Sequence, residues 1–114
     1  FGLLHLQNSG ANLQAVGQVV FAGVWLGGVL LATGSLWAAW AAHLAWNWTM
    51  AALLHAPVSG IGFAAPDWRL ADAGPDWATG GAWGPEAGLG ATLGMAASLI
   101  YLFARQPRRE ETMA

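Results

Sequence analysis

The sequence predicts an all-α fold, a polytopic transmembrane helix bundle with about three full spans plus the end of an earlier helix. Three observations predict it. No Asp, Glu, Lys or Arg occurs from Phe1 to Pro66, and all ten charges lie between Asp67 and Glu111. Hydrophobic residues make up 56% of the 114 positions, whereas a soluble domain carries charge on roughly a quarter of its residues. The apolar segments come in runs near the length of about 20 residues that a membrane-spanning helix needs. A water-facing surface cannot be built from 66 residues without one charge, which argues against a soluble globular domain. The same segment is too apolar to be disordered.

Each element follows in order. Phe1 to Leu6 reads as the last turn or two of an earlier helix. The chain starts with Phe and lacks a basic region followed by a short apolar run, so it does not open as a signal peptide. The expectation is a piece that starts part-way through a longer membrane protein. Gln7 to Asn12 is a short polar turn, with Asn8, Ser9 and Gly10 as turn formers. The first span runs from about Leu13 to Ala32. Thr33-Gly34-Ser35 is a tight reversal in which Gly34 ends one helix and Ser35 caps the next. The second span runs from about Ser35 to His55, antiparallel to the first.

Ala56 to Glu86 is a long loop with four prolines, six glycines and three tryptophans. Loops of this length are usually functional or flexible. The third span runs from about Ala87 to Ala104, and a polar tail covers 105–114. The domain division is therefore a transmembrane part at 1–104 and the tail. Backbone groups in lipid must pair internally, which makes the apolar runs helices. Arg105, Arg108 and Arg109 flank the last span closely and place the C-terminus in the cytoplasm by the positive-inside rule.

Small residues mark the packing faces. Gly23 and Gly27 form one pair at four-residue spacing, and Gly90, Gly94 and Ser98 form a second row. Ala38, Ala42 and Ala45 thin one side of the middle helix. Such faces let helices approach closely in lipid. Packing within the bundle explains them, and homo-oligomerisation is the competing use. Interfacial belts account for Trp37 and the loop residues Trp68, Trp77 and Trp83. Trp46 and Trp48 sit deeper and are read as bundle filling.

The informative side chains are the few polar ones in apolar helices. His43 and Asn47 stand four residues apart, which stacks them on one helix face about 6 Å apart along the axis. An ionisable group inside a membrane is expensive to keep there and marks a functional site. The bland reading is an interhelical hydrogen bond that only holds the bundle together. His5 closes Phe1-Gly-Leu-Leu-His5 before a polar turn, where a cap or interface role is the bland alternative. His55 is twelve residues from His43, about 120° around the helix, and is read as interfacial.

Two imidazoles and an amide can bind a metal, orient a water or stabilise an oxyanion. No HExxH is present, so the usual zinc helix with its Glu base is lacking. No carboxylate lies within the three spans, and the nearest is Glu86 at the mouth of the third. A hydrolytic site here lacks its general base unless another segment supplies one. A net charge of −2 without a basic stripe speaks against nucleic acid as a partner. The absence of cysteine removes disulfides and thiolate sites.

At these residues the sequence resembles the CPBP intramembrane proteases, the family of CAAX prenyl proteases and bacteriocin-processing enzymes also called Abi. Its members carry Glu-Glu-x-x-x-Arg, then Phe-x-x-x-His, then His-x-x-x-Asn/Asp. Phe1-Gly2-Leu3-Leu4-His5 matches the second motif, and His43-Leu44-Ala45-Trp46-Asn47 matches the third. Thr33-Gly34-Ser35-Leu36-Trp37 precedes the third motif as in many bacterial members. Pro57-Val58-Ser59-Gly60 and Thr79-Gly80-Gly81-Ala82-Trp83-Gly84-Pro85-Glu86 also fit. The Glu-Glu-x-x-x-Arg motif does not occur in these residues, and the expectation is a C-terminal fragment of such a protease domain.

The resemblance implies a membrane-embedded peptidase, multi-pass in a bacterial cytoplasmic membrane, acting on a peptide or protein substrate in or at the bilayer. It implies that the upstream Glu and His5 activate a water while His43 and Asn47 stabilise the oxyanion. The family admits zinc, which His5 and His43 would help to hold, or a metal-free glutamate mechanism. Without the upstream motif the fragment by itself is expected to be inactive. The competing readings are a non-catalytic membrane protein of the same fold, for bacteriocin immunity or scaffolding, and a transporter segment using His43 as a proton relay.

Overall fold

The computed structural model describes residues 1–64 and 68–106. Asp67, Arg108 and Arg109, on which part of the charge argument rests, lie outside them. Secondary structure among the described residues is helical, with a lone antiparallel bridge between Val58 and Ile61 and no strand. Among the described residues there are four α-helices: α1 (Leu13–Thr33), α2 (Leu36–Trp48), α3 (Asp76–Thr79) and α4 (Leu89–Ala104).

Local chemistry sets the helix ends. The Asn12 side chain accepts from the Ala15 N–H at 2.9 Å and starts α1. Gly34 ends it with φ 66, and its N–H reaches the Leu30 carbonyl at 2.7 Å. A left-handed residue there is favoured when it has no Cβ. Ser35 then accepts from Ala38 N–H at 3.3 Å and opens α2. The reversal expected at Thr33-Gly34-Ser35 is therefore present, and α1 packs against both α2 and α4.

Only α1, with 21 residues and a mean hydropathy of 1.9, is long and apolar enough to cross a membrane among the described helices. The expected second span is divided. α2 keeps α winding for 13 residues, then a π-helical turn at Thr49–Leu53 takes over. The third expected span is 16 residues of α4, starting two positions later than anticipated. The extended Gly88 after a 3-10 turn at Pro85–Ala87 sets that start. The first residues form a single 3-10 turn at Gly2–His5.

The loop is more structured than its composition predicts. It contains α3 and 3-10 turns at Gly81–Trp83 and Pro85–Ala87, and it folds back on α1 and α4. Trp83, expected at an interface, is instead 1% exposed and forms the core with Ala15, Val19 and Ala87. Trp37, Trp68 and Trp77 are exposed, as a belt residue would be. Trp48 is exposed too, so it does not fill the bundle, whereas Trp46 packs on Trp25 with ring centroids 5.9 Å apart.

The glycine faces also differ in detail. Gly23 seats the Phe1 ring, but Gly27 has open space where a side chain would be. The close approach of α4 falls one residue later, at Gly28, against Leu99 and Phe103. Gln18 on α1 donates to the Thr92 hydroxyl of α4, and Trp25 Nε1 donates to Ser98 Oγ at 2.6 Å. These two polar rungs tie α1 to α4.

Candidate active site

The three polar residues singled out in the sequence share one cavity. It has a volume of about 30 Å³ and is lined by Phe1, His5, Gln18, Trp25, His43, Trp46, Asn47, Ser59 and Glu86, among others. That is room for about two water molecules, and the polar lining offers them partners.

Phe1 organises the histidines. Its ring lies 4.9 Å from the His5 ring and 5.6 Å, edge-on, from the His43 ring. Gly23 leaves the space on α1 in which Phe1 sits. The 3-10 turn brings His5 Nδ1 to the Phe1 carbonyl at 3.1 Å. A carbonyl only accepts, so Nδ1 carries the proton, and in the neutral ring the lone pair lies on Nε2. On α2 the four-residue spacing brings Asn47 Nδ2 to His43 Nε2 at 3.3 Å. The amide nitrogen only donates, so His43 Nε2 accepts, and the neutral ring holds its proton on Nδ1. His43 Nδ1 has no hydrogen-bond partner among the described residues.

Two contributors come from the loop. Glu86 is buried, and its Oε1 accepts from Ser59 N–H, from Ser59 Oγ at 2.6 Å and from Trp83 Nε1 at 3.1 Å. Glu86, named from the sequence as the nearest carboxylate and lying outside the spans, reaches the cavity wall because the loop folds back. Gln18 lines the same cavity from α1. Gln18 was not signalled by spacing, and the position of Glu86 in the wall was not either, because each arrives through tertiary folding.

His55 is placed elsewhere. It takes φ 47, its Nδ1 pairs with the Trp68 carbonyl at 2.9 Å, and its ring stacks 4.3 Å from Trp68. It does not line the cavity, and it lies past the end of the helical winding at Leu53, so the loop rather than an angle around the helix sets its place. No group of three or more His, Cys, Asp or Glu able to hold a metal exists among the described residues.

A second, larger cavity of about 480 Å³ adjoins the first through Trp46, which lines both. Met50, Pro57, Leu70, Gly90 and Gly94 contribute to its wall. The row Gly90 and Gly94 therefore clears space for a cavity rather than for a neighbouring helix.

Residues 1–49 match a family model described as type II CAAX prenyl endopeptidase, Rce1-like. Over that stretch, somewhat under half of its length, the chain is similar to the Rce1-like family. The match holds Phe1, His5, His43 and Asn47, so both histidine motifs fall inside the Rce1-like segment, while Ser59 and Glu86 lie beyond it. No curated protein and no solved structure matches the chain.

Proposed function

We propose that the chain forms part of an intramembrane endopeptidase of the CPBP/CAAX prenyl protease type. The observation that carries this reading is the convergence of His5, His43 and Asn47 on one small cavity beside a larger one. The Rce1-like match supports the reaction class.

The chemistry follows from the tautomers. His5 Nε2 is the free lone pair, and with a carboxylate supplied upstream it takes a proton from a water. The water oxygen then attacks the peptide carbonyl carbon. The resulting oxyanion accepts from His43 Nδ1–H, and Asn47, bonded to Nε2, holds the ring in the tautomer and orientation that present this donor. Such preoriented donors in a dry site stabilise the charge as it develops. On collapse the C–N bond breaks, and the proton held at His5 or its carboxylate partner passes to the leaving amine. A catalytic zinc takes three protein ligands plus water, and the donors of this chain do not form such a set among the described residues. No step is therefore routed through a metal.

Membrane embedding is part of the proposal. α1 rises about 31 Å, enough for a hydrocarbon core of about 30 Å. Its apolar surface is mostly open, with Leu13, Val24 and Leu31 exposed, as a lipid-facing helix requires. In this reading α2 with its π turn, and α4, cross beside it, the C-terminus is cytoplasmic, and the large cavity receives the substrate segment. Its volume falls in the range of about 300–1,000 Å³ typical of ligand pockets.

The test is cleavage of a prenylated C-terminal peptide by the protein as its gene encodes it, reconstituted in lipid. Wild type should cleave, and His5→Ala or His43→Ala should abolish turnover while the protein stays in the membrane. Activity retained after His43→Ala defeats the assignment. A non-catalytic protein of the same fold, the competing reading, predicts no cleavage by wild type.

A further inference from the structure

We infer that Glu86 is a positioning residue for His5, acting through the Ser59 turn and Asn8. The inference rests on the proteolytic reading for its purpose, but the connection itself is structural. From Glu86 Oε1 the path runs through Ser59 N–H and Oγ. The Ser59 carbonyl accepts from Asn8 Nδ2 at 2.9 Å, and the Asn8 N–H donates to the His5 carbonyl at 3.1 Å. Glu86 is far from His5 in sequence, yet two residues, Ser59 and Asn8, join them.

The need for such a path lies at both ends. His5 closes a single 3-10 turn of four residues, and a helix this short cannot hold itself. Its front is anchored by Gly2 against Val20 and by Phe1 against Gly23. Its rear end is held by Asn8. Asn8 in turn depends on a tight turn, Val58 to Ile61, closed by a 2.9 Å hydrogen bond in each direction. Both central residues have positive φ, 49 at Ser59 and 76 at Gly60. That conformation favours Gly, Asn or Asp, and a serine there is strained. Two hydrogen bonds to Glu86 hold the serine in it.

Glu86 is placed firmly enough to do this. Trp83 Nε1 fixes the same oxygen, and the Trp83 carbonyl accepts from Gly60 N–H at 3.0 Å. Oε2 makes no hydrogen bond among the described residues, and no fully buried polar side-chain atom there lacks a partner, so Oε2 keeps contact with open space. The carboxylate therefore clamps the turn with one oxygen only.

The test reads His5 directly. Diethyl pyrocarbonate labelling of the membrane-reconstituted protein, resolved by mass spectrometry, reports each histidine separately. Glu86→Ala should raise the His5 labelling rate at least threefold and leave His43, held by Asn47, within about 1.5-fold. Glu86→Gln keeps an acceptor oxygen and should give an intermediate rate. Should Glu86→Ala fail to fold, Asn8→Ala cuts the path one residue nearer and must show the same selective rise. Unchanged His5 labelling, or an equal rise at His43, overturns the inference. In the peptide assay Glu86→Ala should lower kcat at least tenfold with KM within twofold, and wild-type kcat in that variant also overturns it. Wild type that does not cleave would refute the proteolytic reading alone, and the labelling would still decide the role of Glu86.

Discussion

Asn47 donates its side-chain amide to His43 Nε2 at 3.3 Å, one helical turn apart on α2. This contact fixes more than distance. It assigns the imidazole proton to Nδ1 and so turns the other edge of the ring into a donor. Without Asn47 the ring could carry its proton on either nitrogen and would lose its orientation.

Asn47→Ala should therefore lower kcat by about 10²-fold, the usual consequence of losing one oriented oxyanion donor, here His43 Nδ1–H. The effect should fall on kcat more than on KM, because the donor acts on charge that develops during reaction. Steady-state kinetics on the prenylated peptide check this. His55→Ala should stay within about twofold of wild type in the same assay, because His55 pairs with the Trp68 carbonyl away from the cavity.

Trp25 and Ser98 give a test of the α1–α4 contact. The Trp25 Nε1 to Ser98 Oγ bond spans 2.6 Å between two helices. Hydrogen bonds between membrane helices contribute about 0.6 kcal/mol on average and at most about 1.7. Trp25→Phe and Ser98→Ala should each destabilise the folded state, and the double variant should cost less than the two added. The coupling energy from a double-mutant cycle in mild denaturant measures the bond. Strict additivity would show that the bond contributes nothing.

The legible part of the site was the part written in local spacing. His5, His43 and Asn47 belong to two short motifs, and a four-residue step on a helix fixes a contact before any packing is known. Gly34 and Ser35 were legible for the same reason, since caps depend on neighbouring residues. The arrival of Glu86, Ser59 and Gln18 at the cavity was not, although Glu86 is the carboxylate nearest the spans, because the Ser59–Glu86 and Gln18–Thr92 pairs are 27 and 74 residues apart and are chosen by how the loop and α4 fold onto α1. Trp83 misled because an apolar ring with one N–H donor suits both a membrane interface and a core, provided the donor is met. Here Glu86 meets it. The length of the second span misled because apolar composition does not reveal where α winding yields to a π turn.

Gly27 and Gly28 are adjacent on α1 and should behave oppositely. A Cβ at Gly27 meets nothing within 4 Å, whereas one at Gly28 collides with the Leu99 side chain of α4. Gly27→Ala should be neutral or stabilise by up to about 1 kcal/mol, the difference in helix propensity. Gly28→Ala should destabilise by about 1–3 kcal/mol, the usual range for overpacking, since Leu99 must move. Thermal unfolding in detergent compares the two, and equal behaviour would place the close approach elsewhere.

Replacing Gly60 should do heavy damage outside the catalytic set. Its φ of 76 disfavours any side chain, and a Cβ there would run into the Ser9 carbonyl oxygen, with Trp83 Cε3 close behind at 3.2 Å. A flexible side chain could yield, but Ser9 contributes backbone, and the Asn8–Ser9 turn is tied to the same Ser59 carbonyl that the mutation would displace. Left-handed backbone with a side chain costs roughly 1–2 kcal/mol by itself. The collision then adds a forced separation of the turn from the segment behind His5. Gly60→Ala should lower the unfolding temperature by several degrees and, in whatever fraction remains folded, expose His5 to diethyl pyrocarbonate as Glu86→Ala does. Loss of stability with His5 still protected would mean that the turn supports the fold without reaching the histidine.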